Sequence, residues 1–160
     1  MKVGLIGLGR MGEGMSRRMI KAGIEVHGYR NNYKKAEEQY EKGYISGCTT
    51  SLESLVQVVH DQDGLVGKAP GILMMVVPAE TVEDTLNELL QFCVEGDIII
   101  DHGNSNFKDS RRRAERLSKL GIQYIDCGTS GGVYGLERGC LLYTSPSPRD
   151  ATLSRMPSSA

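Results

Sequence analysis

The sequence lacks the features that mark most metal-binding, membrane and secreted proteins. Its four cysteines form no CxxC pair and no cluster with histidine at metal-ligand spacing. No apolar run approaches the roughly 20 residues that a membrane-spanning helix needs, and the first residues do not resemble a signal peptide. We therefore expect no metal site, no membrane partner and a cytoplasmic location, where cysteines stay reduced.

A large excess of charge of one sign is also missing. The 19 Lys and Arg residues nearly balance the 20 Asp and Glu residues, which leaves a formal net charge of -1. Such a balance provides no electrostatic basis for a nucleic-acid partner. The basic run 111–113 lies beside Asp109 and Glu115, so we interpret it as a solvated face of a helix.

Short apolar runs alternate with helical patterns along most of the chain. The runs that predict strands are residues 2–6, 24–29, 72–77, 97–101 and 122–125. The patterns that predict helices are residues 10–22, 33–42, 51–59, 81–92 and 107–120. Strands that alternate with helices are joined by crossovers, so the expected fold class is α/β, a Rossmann-type doubly wound parallel sheet. Ligands of such sheets bind at the carboxyl ends of the strands.

A glycine-rich motif follows the first predicted strand and opens the first predicted helix. Its residues, which match G-x-G-x-x-G, are Gly7, Leu8, Gly9, Arg10, Met11 and Gly12. The bare pattern is a weak signal, but its position between a strand and a helix is typical of dinucleotide-binding domains. Gly7 would permit the tight turn, Gly9 the approach of a pyrophosphate, and Gly12 close packing of the helix. The N-terminus of the helix would offer its free N–H groups to the phosphates.

The end of the second predicted strand bears on the choice between NAD and NADP. An acidic residue there binds the ribose 2′-hydroxyl of NAD, whereas an arginine accommodates the 2′-phosphate of NADP. The strand ends at Tyr29 and is followed by Arg30, Asn31 and Asn32, with no carboxylate. The alternative interpretation of Arg30 is an exposed charge in a turn. We therefore favour NADP over NAD and expect Arg30, Asn31 and Asn32 to line the cofactor site.

Several segments together resemble a known family. Residues 3–12 resemble the opening of the 6-phosphogluconate and 3-hydroxyisobutyrate dehydrogenase superfamily, and residues 75–79 resemble its segment that runs past the cofactor. Residues 97–106 resemble the family's D-G-G-N-S-N turn, although His102 stands where the family has glycine. This histidine could be tolerated in an exposed turn, or it could crowd the site. Residues 126–139 resemble the substrate loop of the shorter, bacterial-type 6-phosphogluconate dehydrogenases, and this motif is the most specific.

The resemblance implies an enzyme that uses NADP or NAD to oxidise 6-phosphogluconate at C3, after which the 3-keto acid decarboxylates to ribulose 5-phosphate. The residues that it assigns to the cofactor at the later strand ends are Val77, Pro78, Ala79 and Asn104. The residues that it assigns to the substrate are Asn104, Ser130, Gly131 and Gly132. Without the resemblance, Asn104 could merely shape a turn, and the two glycines could form a flexible strand exit.

The composition changes at Cys140, beyond which Pro, Ser and Arg dominate and the periodicity ends. Residues 140–150 resemble the translation of a sequencing-library adapter, and residues 154–160 resemble another part of the same kind of adapter. We therefore expect a Rossmann domain at residues 1–139 and a non-native, disordered tail at residues 140–160. A genuine disordered Pro/Ser tail is the alternative.

The resemblance also implies a helical C-terminal domain that supplies a catalytic lysine, a glutamate acid and most of the interface of a homo-oligomer. No counterpart of that domain is present in the sequence, so we expect a truncated, inactive chain with no catalytic residue of its own. Two other interpretations stay open at this point. They are a 3-hydroxyisobutyrate-type β-hydroxyacid dehydrogenase and a noncatalytic nucleotide-binding module.

Overall fold

The computed structural model describes residues 1–61, 69–130 and 141–144, with the backbone alone described at 130 and 141–144. The strands are β1 (Lys2–Ile6), β2 (Glu25–Tyr29), β3 (Gly47–Thr49), β4 (Ile72–Met75), β5 (Ile98–Asp101), β6 (Gln123–Ser130) and β7 (Leu141–Thr144). They form one sheet in the order β3-β2-β1-β4-β5-β6-β7. Strands β1 to β6 are parallel, and β7 is antiparallel to β6. This strand order is that of a doubly wound Rossmann sheet, so the predicted fold class is confirmed.

Helices connect the strands throughout the described part of the chain. They are α1 (Arg10–Lys21), α2 (Tyr33–Glu41), α3 (Leu52–His60), α4 (Val82–Leu89) and α5 (Phe107–Ser118). Local side chains start three of them: Asn32, Ser51 and Asn106 accept hydrogen bonds from backbone N–H groups of α2, α3 and α5. Glycines with a positive φ follow two of them, since Gly23 lies beyond α1 and Gly43 beyond α2.

Apolar side chains form one core on each face of the sheet. One core packs α3, α4 and α5 against the strands and includes the fully buried Leu55, Leu86 and Leu117. The other packs α1 and α2 against the opposite face and includes Met15 and Ala36. Both faces of the central strands are therefore covered, which explains why those strands are continuous apolar runs in the sequence.

The structure contains two strands that the sequence pattern does not predict. Gly47–Thr49 is only three residues long, too short for a periodic pattern, and it pairs with β2 at the edge of the sheet. Leu141–Thr144 lies in the tail that the sequence predicts to be disordered, so that prediction does not hold for these four residues. An edge strand such as β6 offers unpaired backbone groups to any extended segment, and pairing with it requires no particular side chains. The non-native origin of residues 140–160 stays a prediction.

The parallel strands bring their exits together at one edge of the sheet. Three backbone hydrogen bonds join neighbouring exits: Gly7 N–H to Tyr29 O (2.9 Å), Val76 N–H to Ile6 O (2.7 Å) and His102 N–H to Met75 O (2.8 Å). The glycine loop, residues 7–12, lies at the centre of this row of strand exits, because β1 has β2 on one side and β4 on the other. The carboxyl edge therefore holds the residues of the candidate site.

Candidate functional site

The glycine loop between β1 and α1 has little room at its first and third glycines and open space at its second. A Cβ atom built on Gly7, whose φ is +98°, would lie 2.2 Å from the Val76 carbonyl oxygen. A Cβ atom built on Gly12 would lie 2.0 Å from the Gly7 carbonyl oxygen, so glycine lets α1 pack directly on the loop. Apart from its chain neighbours, no atom of the described residues lies within 4 Å of a Cβ atom built on Gly9. The open side of the loop is therefore at Gly9, where a pyrophosphate can approach the backbone.

Helix α1 begins after Gly9 without a cap from any described side chain. Its first internal hydrogen bond runs from Glu13 N–H to the Gly9 carbonyl, at 2.8 Å. The N–H groups of Arg10, Met11 and Gly12 precede that bond and have no acceptor inside the helix. These N–H groups and the positive end of the helix dipole favour an anion at this position.

Arg30 follows β2 and folds back onto the glycine loop. Its Nη1 donates to the Leu8 carbonyl oxygen at 3.1 Å, and its side chain is half-buried, unlike an exposed charge in a turn. A guanidinium has five N–H donors, and this bond uses one of them, which leaves donors for a 2′-phosphate. The Leu8 side chain is 1% exposed, so Leu8 can serve the site only through its backbone.

The two asparagines after Arg30 are exposed and lie at the start of α2. Asn32 Oδ1 accepts a hydrogen bond from Lys35 N–H at 3.3 Å, which commits that oxygen to capping the helix. Asn32 therefore caps the helix. Asn31 lies next to Arg30 in the chain, and no described hydrogen bond fixes its side chain.

Gln39 is a residue of the loop's surroundings that no sequence motif predicts. It lies on the buried face of α2, and its Nε2 donates to the Leu8 carbonyl oxygen at 3.1 Å. The one sequence signal for it is its spacing from Ala36, because residues three apart share a helix face and Ala36 is completely buried. A polar side chain on the apolar face of a charged helix requires a partner, and here that partner is the glycine loop.

The exit of β4 lies on the other side of the glycine loop. Val77 is half-buried, and its Cγ1 would lie 3.1 Å from a Cβ atom built on Gly7. Pro78 precedes a 3₁₀ turn at Ala79–Thr81 that leads into α4. Pro78 and Ala79 are both exposed. The structure therefore brings Val77 into contact distance of the loop and places the next two residues at the surface beside it.

Asn104 joins the turn after β5 to the end of β6. Among the described residues it is the one non-glycine residue with a positive φ, +55°, a conformation that asparagine tolerates better than most residues. Its Nδ2 donates to the Thr129 carbonyl at 3.1 Å, and its Oδ1 accepts from Thr129 N–H at 2.9 Å. These bonds agree with the interpretation that Asn104 shapes the turn, and they leave one Nδ2 hydrogen for a ligand.

A fully buried carboxylate, Asp101, organises the same turn. Its oxygens accept hydrogen bonds from Gly103 N–H (2.7 Å), Ser105 Oγ–H (3.0 Å) and Tyr124 O–H (2.6 Å). Burial and the bond to Asp101 raise the pKa of Tyr124, so the phenol keeps its proton and remains a donor. Sequence motifs do not reveal Tyr124, because it reaches the turn from a strand 23 positions further along the chain.

Arg113 connects this carboxylate to α4. It is 5% exposed, its Nη1 lies 3.6 Å from Asp101 Oδ2, and its Nε donates to Glu83 Oε2 at 2.8 Å. The hydrogen bond from Arg113 lowers the pKa of Glu83. The interpretation of the basic run as a solvated helix face is therefore wrong for Arg113, which the helix turns toward the sheet. It is right for Arg111 and Arg112, which are exposed.

His102 is buried beneath the turn, with 5% of its surface exposed. Its Nδ1 lies 2.7 Å from Thr129 Oγ1, within hydrogen-bond distance. Burial lowers the pKa of His102, and the nearby charge of Asp101 acts in the opposite direction. The structure thus does not place this histidine in an exposed turn. Its backbone N–H donates to Met75 O at the β4 exit and its ring meets Thr129 of β6, while burial favours the neutral form of the imidazole.

The substrate residues implied by the resemblance lie at the end of β6 and beyond it. Ser130 is the last residue of β6, and its backbone pairs with Leu141. Its side chain, Gly131 and Gly132 lie outside the residues that the structure describes. Within the described residues, no group of three or more His, Cys, Asp or Glu side chains could hold a metal ion. None of the described helices combines the length and the apolar composition needed to cross a membrane.

A glycine loop at the point where the strand order reverses, an uncapped helix N-terminus and an arginine after the next strand define a Rossmann domain of the dinucleotide-binding class. Comparison with protein families agrees with this class. The family described as the NAD binding domain of 6-phosphogluconate dehydrogenase matches residues 2–155. The chain therefore belongs to this family of NAD(P)-binding oxidoreductase domains.

Curated relatives of the chain include enzymes from a yeast and a bacterium. The decarboxylating 6-phosphogluconate dehydrogenase of Candida albicans is 38% identical over 138 residues, which cover 86% of this chain and 26% of the relative. The NADP(+)-dependent decarboxylating 6-phosphogluconate dehydrogenase of Bacillus subtilis (strain 168) is 34% identical over 141 residues, covering 86% of this chain and 28% of the relative. The chain thus spans little more than a quarter of the length of these two relatives.

Solved structures show the same fold. The 6-phosphogluconate dehydrogenase of Plasmodium falciparum, described in apo form and with NADP+ or 6-phosphogluconate, superposes with a TM-score of 0.76 at 27% identity. That comparison covers 92% of this chain and 31% of the solved chain. A 3-hydroxyisobutyrate dehydrogenase of Salmonella typhimurium superposes with a TM-score of 0.74 at 23% identity over 92% of this chain and 48% of the solved chain. At 23% identity, the similarity to the Salmonella typhimurium structure shows a shared fold and no more.

Proposed function

We propose that this chain is the cofactor-binding portion of a 6-phosphogluconate dehydrogenase that prefers NADP. The observation that carries the proposal is the glycine loop, whose open side at Gly9 meets the uncapped N-terminus of α1. Relatives at 38% and 34% identity that are named as decarboxylating 6-phosphogluconate dehydrogenases support the substrate class. The substrate, the pentose phosphate pathway and a cytoplasmic location belong to this proposal.

The described residues fit a dinucleotide that crosses the carboxyl edge of the sheet. The N–H groups at the start of α1 would hold the pyrophosphate, and Arg30 would hold the 2′-phosphate at the β2 exit. The nicotinamide half would then extend the other way, past Val77 toward the turn at Asn104, because β4 and β5 follow β1 on that side. When bound, NADP supplies a hydride acceptor for C3 of the sugar acid.

In this proposal, side chains in another part of the whole protein transfer the protons. The titratable side chains of the β5 turn, Asp101 and His102, are both buried, and Asp101 and the Nδ1 atom of His102 make hydrogen bonds that hold the turn itself. A general acid or base must reach the proton that it transfers. A further helical domain of the whole protein would supply the acid, the base and the interface of a homo-oligomer.

Calorimetry with the 160-residue chain tests the proposal directly. We expect saturable binding of NADP and no NADPH formation from 6-phosphogluconate above a control without protein. Failure to bind NADP would refute the cofactor site. NADPH formation would instead refute the placement of the acid and base in another part of the protein.

The variant Arg30→Ala tests the preference for NADP. It should weaken NADP binding by about tenfold or more relative to NAD binding, because only NADP carries the 2′-phosphate and a hydrogen bond to a charged group contributes roughly 1.5–3 kcal/mol. The control is Lys42→Ala, which removes an exposed positive charge at the far end of α2 and should change neither affinity. Equal losses for NADP and NAD in Arg30→Ala would show that Arg30 does not bind the 2′-phosphate.

A further inference from the structure

The Leu8 carbonyl oxygen of the glycine loop receives hydrogen bonds from one half-buried and one buried side chain. One comes from Arg30 Nη1 and the other from Gln39 Nε2, both at 3.1 Å. Gln39 is 8% exposed, and its Nε2 also donates to Glu13 Oε2, at 3.0 Å, in the first turn of α1. One amide from α2 therefore holds both the loop and the helix that follows it.

The contacts of Gln39 define the orientation of its amide group. Its two partners, the Leu8 carbonyl and the Glu13 carboxylate, are hydrogen-bond acceptors, so the NH2 group must face them. Gln39 Oε1 is then buried and has no hydrogen-bond partner among the described residues. A buried acceptor without a partner destabilises a fold. The two bonds from Nε2 therefore hold the amide in this orientation.

The position of the Leu8 carbonyl determines where the next N–H group points. The described chain has no cis peptide bond, and in a trans peptide the C=O of one residue and the N–H of the next point in opposite directions. The Leu8 carbonyl points inward to Gln39, so the Gly9 N–H points outward. A Cβ atom built on Gly9 also meets no described atom within 4 Å apart from the chain neighbours, so the backbone of Gly9 has open space beside it.

We propose that Gln39 is a positioning residue, which holds the Leu8 carbonyl inward and thereby aims the Gly9 N–H at the pyrophosphate of the bound dinucleotide. This inference rests on the proposed dinucleotide function of the loop. The pyrophosphate is common to NAD and NADP, so Gln39 serves both cofactors equally. Arg30 also donates to the Leu8 carbonyl, but its remaining donors would meet the 2′-phosphate, which only NADP carries.

The test compares three ligands on the 160-residue chain and on Gln39→Leu, which keeps a side chain of similar size without the donor. The ligands are NADP, NAD and adenosine 2′-monophosphate, which carries the 2′-phosphate but no pyrophosphate. We expect Gln39→Leu to weaken NADP and NAD by the same factor, about tenfold, and to leave adenosine 2′-monophosphate within about twofold. The matched control is Gln57→Leu on an exposed face of α3, which should change none of the three affinities.

The backbone amide resonance of Gly9 provides a second measurement. NAD should shift this resonance in the unaltered chain, and the shift should be smaller in Gln39→Leu. Equal weakening of all three ligands would show general damage to the domain and overturn the proposal. Unchanged dinucleotide affinity in Gln39→Leu, or a Gly9 resonance that NAD does not move, would also overturn it. An unaltered chain that binds none of the ligands would refute the proposed function itself, and this inference with it.

Discussion

At the scale of single residues, the glycines of the G-x-G-x-x-G pattern meet two different requirements, one of the fold and one of the ligand. Gly12 is needed by the fold, because a Cβ atom there would lie 2.0 Å from the Gly7 carbonyl oxygen. Gly9 has no such constraint, and its φ of -73° and ψ of -172° are accessible to any residue. Gly9 therefore matters to the ligand rather than to the fold.

Two alanine variants distinguish these requirements. Gly12→Ala should lower the free energy of unfolding by roughly 1–3 kcal/mol, the usual cost of overpacking. Gly9→Ala should keep the melting temperature and weaken NADP binding by at least about tenfold, because its methyl group would occupy the space that the pyrophosphate must approach. Thermal melts and calorimetry of both variants check this. Normal NADP binding by Gly9→Ala would mean that the phosphates lie elsewhere.

His102 links stability to pH at the same scale. Burial lowers its pKa below the ordinary value of 6.5, so the unfolded chain takes up the proton first as the pH falls. Its contribution to stability is therefore fully present above about pH 6.5 and is lost as the pH falls from there toward the folded-state pKa. Urea unfolding at pH 7.5 and pH 5.5 should show a smaller loss in His102→Gln than in the unaltered chain. Identical losses would show that His102 titrates normally in the fold.

At the scale of elements, the turn after β5 is held by three neighbours at once. Asp101 at the end of β5 meets Tyr124 of β6, and Arg113 of α5 joins that carboxylate to Glu83 of α4. The turn carries Asn104, so its rigidity determines where that side chain lies. The ion pair of Arg113 with Asp101 is shielded from water, unlike that of the exposed Arg111 with Glu115.

Replacing each arginine by methionine compares a buried ion pair with an exposed one. Arg113→Met should destabilise the domain by roughly 3 kcal/mol, because it leaves the buried Asp101 without its cation. Arg111→Met should cost less than about 0.5 kcal/mol, since an exposed i,i+4 pair contributes little. Urea unfolding of both variants measures the difference. Similar values for the two would contradict the structural role assigned to Arg113.

At the scale of the whole molecule, β7 decides whether β6 is an edge strand. Its four residues pair with β6 in antiparallel register, from Cys127 opposite Thr144 to Ser130 opposite Leu141. Without β7, the backbone groups of β6 would face water along that side. Residues 141–144 belong to the segment that we interpret from its sequence as non-native, yet they contribute one strand to the sheet.

Two truncations measure that contribution. Deleting residues 140–160 should lower the melting temperature by about 5 °C, because several backbone hydrogen bonds are lost and 1 kcal/mol corresponds to roughly 2–4 °C in a chain of this size. Deleting residues 145–160 should leave the melting temperature unchanged, since the sequence predicts no ordered structure there. Differential scanning calorimetry of both proteins gives the comparison. Equal melting temperatures for the two truncations would show that β7 adds nothing to stability.

The elements that were predicted correctly are those whose signal lies within a few neighbouring residues. The alternation of apolar runs and helices predicts the parallel sheet, and the glycine motif predicts the tight turn at Gly7 and the close packing of α1 at Gly12. Strand β3 was not predicted because three residues are too few to show a hydrophobic period. Strand β7 was not predicted because its pairing with β6 depends on backbone groups rather than on side chains. Arg113 was misjudged because charge alone does not tell which side of a helix faces the sheet.

The sequence by itself determined the fold class, the position of the glycine loop and the arginine after β2, because backbone conformation and periodicity depend on local chemistry. Only the tertiary structure decided that Gln39, 31 positions from Leu8, holds its carbonyl oxygen. It also decided that His102 is buried against Thr129, 27 positions away. The physical reason is that hydrogen bonds of this kind depend on the packing of α2 on the loop and on the register of β5 and β6. Neither the packing nor the register is encoded at any single place in the chain.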